Sequence, residues 1–214
     1  PANLKTLNVS LVMSHLACAD DPENKKNTEQ KEEFERQKGK LPLTSASLAN
    51  SAATMFDSKT HYNMVRPGIA LYGGSPFLDA KKKLRDVVDL KSKIIQIREI
   101  DRPTTVGYGA THGASHLTRL ATVPIGYADG YLRSLGNAGF AFVCGKRVPV
   151  VGRVSMDLTV LDVTHTEAHV GSWVNLLGGP VNIDELAAAA GTISYELLTN
   201  LGERYRRIYL SNVN

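Results

Sequence analysis

Arg66 interrupts an apolar run, Asn63-Met64-Val65-Arg66-Pro67-Gly68-Ile69-Ala70-Leu71-Tyr72-Gly73. A guanidinium stays charged at any biological pH, so apolar surroundings hold it only with a partner that offsets its desolvation. Pro67-Gly68 follows at once, which ends an extended segment and opens a tight turn with bare backbone N–H groups. A fixed cation at a strand end beside a glycine turn is a place to hold an anionic ligand. An arginine that simply reaches solvent from a strand end fits these residues equally well. Other segments must decide between the two.

The elements around Arg66 follow a rhythm. Val9 to Met13 reads as a strand, and Asn27 to Lys40 (NTEQKEEFERQKGK) as a charged helix whose Glu and Lys residues pair along a solvated face. Leu41 to Ala46 is the next short strand, Asn50-Ser51-Ala52-Ala53 opens a helical turn, and Tyr62 to Val65 is a third strand. Strand, helix, strand, helix, strand is the order of a parallel sheet or a (β/α) barrel. Three strands cannot close a barrel that needs eight. The chain also begins Pro1-Ala2-Asn3 and enters a strand-like run at Leu7. Both features lead to the expectation that it is a C-terminal piece of something longer.

From about residue 84 the pattern changes. Val87 to Ile100 mixes alternation with charge. Leu117 to Ile125, Phe140 to Val143, Val148 to Val151, Leu158 to Val163 and Trp173 to Leu177 are short β-like runs, mostly separated by Gly or Pro. This predicts a mainly antiparallel β domain over 83–214, following a barrel part over 1–82. One helix is expected from Asn182, an N-cap with Glu185 three residues on as in a capping box, to Gly191.

Composition narrows the function classes. The 214 residues are 43% hydrophobic and 21% charged, ordinary for a globular protein. A net charge of +4, without basic runs interleaved with aromatics, makes nucleic acid a weak partner. Cys18 and Cys144 lie far apart with no CxxC or Cys/His cluster, which suits a reducing cytoplasm and gives no metal site. No apolar stretch approaches the roughly 20 residues of a spanning helix, and no signal-peptide pattern opens the chain, so no membrane partner is expected.

Five further segments join Arg66 in order: Ser14-His15-Leu16-Ala17-Cys18-Ala19-Asp20, Asn50-Ser51-Ala52, Val106-Gly107-Tyr108-Gly109-Ala110-Thr111, Ile125-Gly126-Tyr127-Ala128-Asp129-Gly130 and Gly152-Arg153-Val154-Ser155-Met156-Asp157. Together they closely resemble bacterial alanine racemase, a pyridoxal-phosphate enzyme. The resemblance runs from near residue 4 to the C-terminus. It implies the last strands of a (β/α)8 TIM-type barrel followed by a mainly antiparallel β domain. It also implies interconversion of L- and D-alanine, feeding peptidoglycan precursors, by a cytoplasmic homodimer with composite active sites.

The roles it implies make physical sense. Arg66 would face the pyridine nitrogen of pyridoxal 5'-phosphate, where a permanent cation disfavours ring protonation. A weaker electron sink favours quick reprotonation, hence racemisation over transamination. His15 would stand beside Arg66 and help fix it; without the resemblance it reads as well as a hydrogen-bonded core histidine. Asn50, Ser51, the backbone of Gly68 and Ile69, and Tyr195 would complete the cofactor site around the phosphate, with Tyr205 and Tyr209 as competitors for the tyrosine's place. Ser51 alone reads as a helix N-cap. Tyr108 would be one of two proton-transfer groups flanking the substrate carbon, although a free phenol near pKa about 10 needs nearby cations for that task. Met156 would shape the substrate pocket, and Tyr127 and Asp157 would line its entrance.

The chain departs from the family at one essential point. The lysine that carries the cofactor, in a segment resembling Lys-x-Asn-Ala-Tyr-Gly, is absent, and Lys40 and Lys59 stand in the wrong contexts. Ser47 occupies a position that is His in some relatives. The chain alone is therefore expected not to turn over. A non-catalytic cofactor-binding or assembly module is the alternative from another class. An amino-acid decarboxylase on the same plan is a third, which an arginine rather than an acid at the ring nitrogen disfavours.

Overall fold

The computed structural model describes residues 7–41, 44–77, 84–115 and 117–210. The chain divides into two compact units, residues 1–85 and 86–214. The boundary expected at 82/83 lies outside the described residues.

In the first unit β1 (Leu11–Met13) and β2 (Ser45–Ser47) pair in parallel, with α1 (Lys25–Lys38) crossing between them and α2 (Ser51–Phe56) following β2. Parallel pairing with a helical crossover is the βαβ arrangement of a (β/α) barrel. Helix α1 starts where the Asn24 side chain accepts the Lys26 N–H at 3.0 Å. Its surface carries Lys26–Glu29, Glu33–Arg36 and Glu35–Lys38 pairs one turn apart, the solvated face that its composition predicts. Phe34 is the buried apolar residue of that helix, edge-on to Tyr62 at 5.3 Å. The expected third strand, Tyr62 to Val65, shrinks to a single parallel bridge between Ser47 and Met64. Two local causes shorten it. Tyr62 takes a left-handed backbone (φ 49°), and the Asn63 side chain occupies a ladder position by accepting the Ala46 N–H at 3.0 Å.

The second unit is antiparallel throughout. Strands β10 (Thr159–Asp162), β7 (Arg119–Val123) and β4 (Gln96–Glu99) form one sheet. Strands β3 (Leu90–Lys93), β11 (Trp173–Leu177), β8 (Phe140–Val143) and β9 (Lys146–Pro149) form another. Alternate residues of these strands, among them Val123, Val143, Leu161, Val174 and Leu176, are buried in one core. The Val87–Ile100 stretch serves both sheets. At its break the Ile94 N–H donates to Ser172 O (3.0 Å) and the Ile95 N–H to Thr122 O (2.9 Å), so adjacent residues commit to different sheets. Two elements had no sequence signal: the short hairpin of β5 (Thr104–Val106) and β6 (His112–Ala114), and the helix α4 (Ser194–Thr199). Helix α3 (Ile183–Ala189) starts at Asn182 as expected, the side chain accepting the Asp184 and Glu185 N–H groups at 3.0 Å. The capping box is half realised, because the Glu185 carboxylate turns to Arg147 at 2.5 Å.

Candidate active site

The first unit holds a pinned cation beside an anion cradle. Arg66 is half-buried, and its backbone N–H donates to Ala49 O at 2.9 Å, which docks the segment along the end of β2. Its guanidinium donates to Ser47 Oγ, to Ser14 O at 2.6 Å and to Leu48 O at 3.5 Å. Ser47 is fully buried and donates its own hydroxyl to Met64 O at 2.8 Å, so it relays the strand geometry to the guanidinium. Three acceptors without formal charge thus hold the cation in place and leave its charge uncancelled. His15 is exposed, and its backbone carbonyl accepts from Gln30 Nε2 at 3.3 Å. Among the described residues no His15 side-chain hydrogen bond reaches Arg66; the neighbouring Ser14 carbonyl makes that contact instead.

The cradle follows directly. Ser51 is the first residue of α2 and only 2% exposed. Its Oγ accepts the Gly68 N–H at 2.7 Å and the Ala70 N–H at 3.4 Å. A hydroxyl that accepts two N–H groups keeps its own hydrogen to donate. Gly68 opens the 3-10 turn Ile69–Tyr72, and the Ile69 side chain is buried beneath it. A buried hydroxyl with its hydrogen left to donate, close in sequence to a fixed cation, suits a phosphate ester, while the Gly68 N–H expected at the phosphate is taken up by Ser51 instead. Asn50, not Ser51, is the N-cap of α2: its Oδ1 accepts the Ala53 N–H at 3.0 Å. The reason is register, since Ser51 already has a helical backbone and its hydroxyl is taken up by the Gly68 turn.

The second unit presents its candidates on tight turns. Tyr108 sits at the tip of the β5–β6 hairpin, between Gly107 (φ 72°) and Gly109 (φ 73°), and is 73% exposed. Left-handed backbone on both sides turns the ring outward. A Cβ on Gly109 would come within 3.0 Å of Arg153 Nη1, so a second guanidinium lies against this turn. Sequence reasoning quoted Arg153 and gave it no role. The only available signal was its place in the Gly152–Asp157 segment.

Tyr127 heads a 3-10 turn, Tyr127–Asp129, and Met156 lies in a neighbouring loop; both side chains are exposed. Their backbones are locked together, Tyr127 N–H to Ser155 O at 3.0 Å and Ala128 N–H to Met156 O at 2.9 Å. A Cβ on Gly130 (φ 92°) would overlap the Asn200 carbonyl, so this turn also fits closely against the end of α4. Tyr195, in the first turn of α4, is half-exposed. Tyr205 differs: its ring packs on the core and its hydroxyl is buried. Burial and the Asp129 carboxylate push its phenol upward. Tyr209 is 86% exposed. Asp157 pairs with Arg204 at 2.8 Å. Among the described residues no group of three or more His, Cys, Asp or Glu side chains is arranged to hold a metal, and no helix is long and apolar enough to cross a membrane.

Residues 87–209 match the family model for the alanine racemase C-terminal domain, and residues 1–76 match that for the alanine racemase N-terminal domain. The chain is 46% identical over 212 residues to an alanine racemase of Rhodospirillum rubrum, with 98% of this chain and 57% of that protein covered. It is 44% identical to a biosynthetic alanine racemase of Agrobacterium fabrum, covering 94% of this chain and 55% of that protein. The crystal structure of the Bartonella henselae alanine racemase with covalently bound pyridoxal phosphate superposes with a TM-score of 0.89 at 36% identity, covering 95% of this chain and 57% of that one. The chain therefore spans a little over half the length of the relatives it matches. The partial barrel followed by a β domain is the architecture it shares with them.

Proposed function

The chain belongs to the alanine racemase family, and on that premise we propose that it supplies most of the site for pyridoxal-phosphate-dependent interconversion of L- and D-alanine. The observation that carries this is the first unit's pairing of a pinned guanidinium with the Ser51 cradle. Ser51 would donate to a phosphate oxygen while its own Oγ holds the Gly68 turn in place. The Ile69 backbone and the Tyr195 hydroxyl are the further phosphate donors in this reading, and Asn50 fixes the start of α2. When bound, the cofactor supplies the electron-withdrawing ring that acidifies the α-carbon of an amino acid. Arg66, charged and held by oxygens of no formal charge, would hold the ring nitrogen free of a proton.

Tyr108 Oη is assigned the transfer of one proton at the alanine α-carbon, on one face. Arg153, lying against the same turn, supplies positive charge beside it. Met156 and Tyr127 bound the substrate, Asp157 lies at the approach, and His15 edges the Arg66 side of the site. The second base is the family's lysine, which is not among these 214 residues. In this reading the whole protein is a cytoplasmic homodimer with composite sites that makes D-alanine for peptidoglycan. The absent lysine segment favours a second reading for the chain as it stands, a non-catalytic module that binds the cofactor or assembles with a partner.

The native polypeptide purified from its host separates these readings. Its sequence upstream of Pro1 should contain a segment resembling Lys-x-Asn-Ala-Tyr-Gly, and it should racemise alanine in both directions. A native product that starts at Pro1 and still racemises alanine would overturn the assignment of the second base. One that starts there and is inert would favour the non-catalytic module.

A further inference from the structure

We propose that Arg204 is a positioning residue that clamps together the two turns carrying Tyr127 and Met156, and so sets the substrate-facing edge of the second unit. The inference rests on the racemase reading for what those turns do, but the clamp itself stands on geometry. Arg204 Nε lies 3.2 Å from Asp129 Oδ1, and its Nη1 donates to Asp157 Oδ1 at 2.8 Å. Asp129 ends the Tyr127 turn, and Asp157 follows Met156 directly. One guanidinium therefore bridges the ends of both turns.

The two carboxylates are not equivalent. Asp157 is half-exposed, and a pair of that kind contributes little. The Asp129 side chain is 7% exposed, and its other oxygen, Oδ2, accepts the Gly126 N–H at 2.9 Å. A buried carboxylate with one amide and one cation as partners loses most of its compensation when the cation goes. The Gly126 N–H that shapes the Tyr127 turn is then the main partner left to that buried charge.

The backbone geometry makes Arg204 decisive. Tyr127 and Met156 are exposed, so little packing fixes their side chains, and the placement of their turns fixes them instead. Those turns already share two backbone hydrogen bonds, and Gly202 N–H ties the Arg204 segment to the Tyr127 turn by donating to Asp129 O at 3.0 Å. Tyr205, next to Arg204, packs on the core and anchors the segment from which the guanidinium reaches out. The fork is essential because Nε and Nη1 serve different carboxylates. A lysine ammonium is a single point charge and cannot span both in this way.

The test uses the native polypeptide and reads amide hydrogen exchange together with alanine kinetics. Arg204→Gln should speed exchange in segment 126–131 by about tenfold and in 155–158 by about twofold, and leave the β8–β9 hairpin unchanged. Arg204→Lys should restore protection in 126–131, where one cation still reaches the buried carboxylate, but not in 155–158. Should Arg204→Gln fail to fold, Asp157→Asn keeps the question open to measurement, because it should speed exchange in 155–158 alone. The KM for alanine should rise about tenfold in Arg204→Gln with kcat held within about twofold, since a displaced pocket edge weakens binding more than chemistry. Unchanged exchange in both turns overturns the clamp, as does equal acceleration across the whole second unit. Local acceleration with an unchanged KM overturns the link to substrate. If the unaltered polypeptide does not racemise alanine, the racemase reading fails, and the exchange pattern still decides the clamp on its own.

Discussion

The two units hold their candidate residues in opposite ways. In the first, all but His15 are drawn inward: Ser51 and Ser47 are buried and Arg66 is half-buried, with backbone N–H groups donating to Ser51 and with carbonyls and a hydroxyl accepting from Arg66. Among the described residues the buried cluster behind them is mostly alanine. Its buried members are Leu16, Ala19, Phe34, Ala46, Leu48, Ala49, Ala52 and Ala53, and five of these eight are alanine. In the second unit the core is large, and Tyr108, Tyr127 and Met156 stand out from it on turns, mostly exposed. The comparison teaches that polar contacts fix the side chains themselves in one unit and the turns that carry them in the other.

That contrast can be broken most directly in the cores. Leu161 and Leu48 are both fully buried. Truncating either to Ala should cost about 3 kcal/mol, the usual price of a leucine-sized cavity. The consequences should differ. Leu161→Ala should lower the unfolding midpoint of the second unit while leaving it folded at room temperature. Leu48→Ala, where the remaining core is mostly alanine, should abolish amide protection in β1 and β2 and leave β8 and β11 untouched. Protection lost equally in both units would mean that they fold as one body, and the contrast would fall.

How far the sequence revealed this arrangement depends on the range of each interaction. Arg66 was legible because a fixed charge inside an apolar run is anomalous within a few residues. The segments around Tyr108, Tyr127 and Met156 were legible as contiguous motifs. The rest depended on distant partners. Ser47 looked like a tolerable substitution, and its grip on Arg66 emerges only when β2 is laid beside the Arg66 segment. Arg204 reads like its neighbours Arg206 and Arg207 in a basic tail until the fold brings Asp129 and Asp157 to it. The β5–β6 hairpin was invisible for another reason. Thr104–Val106 and His112–Ala114 are too short and too exposed to show alternation. Helix α4 is six residues long and gives no helical period to read.

The polar side of the contrast can be sharpened at Ser51. Ser51→Ala removes the hydroxyl that the cradle would offer to a phosphate and leaves the Gly68 and Ala70 N–H groups without that acceptor. Equilibrium dialysis should show binding of pyridoxal 5'-phosphate weakened by about tenfold, or about 1.4 kcal/mol, as expected for one hydrogen bond to a charged group. Binding of pyridoxal, which lacks the phosphate, should not change. Equal losses for both ligands would mean that Ser51 supports the fold of the first unit rather than the phosphate.

The smallest effect gives the cleanest comparison, because each unit starts a helix with the same residue type. Asn50 accepts the Ala53 N–H at 3.0 Å, and Asn182 accepts both the Asp184 and Glu185 N–H groups at 3.0 Å. Removing an N-cap by substitution to Ala costs about 1 kcal/mol. In Asn182→Ala that loss should spread over a well-packed unit and appear only as a small fall in midpoint, because α3 also buries Ile183, Leu186 and Ala187. Asn50→Ala strikes a six-residue helix whose first residue is Ser51 itself. A frayed first turn there moves the Ser51 hydroxyl, so the same loss should also weaken pyridoxal 5'-phosphate binding. Calorimetry and dialysis on the two variants therefore separate cap energy from cap position. Equal falls in stability with cofactor binding lost only in Asn50→Ala would place Asn50 in the site through its geometry. Binding unchanged in both would confine it to helix initiation.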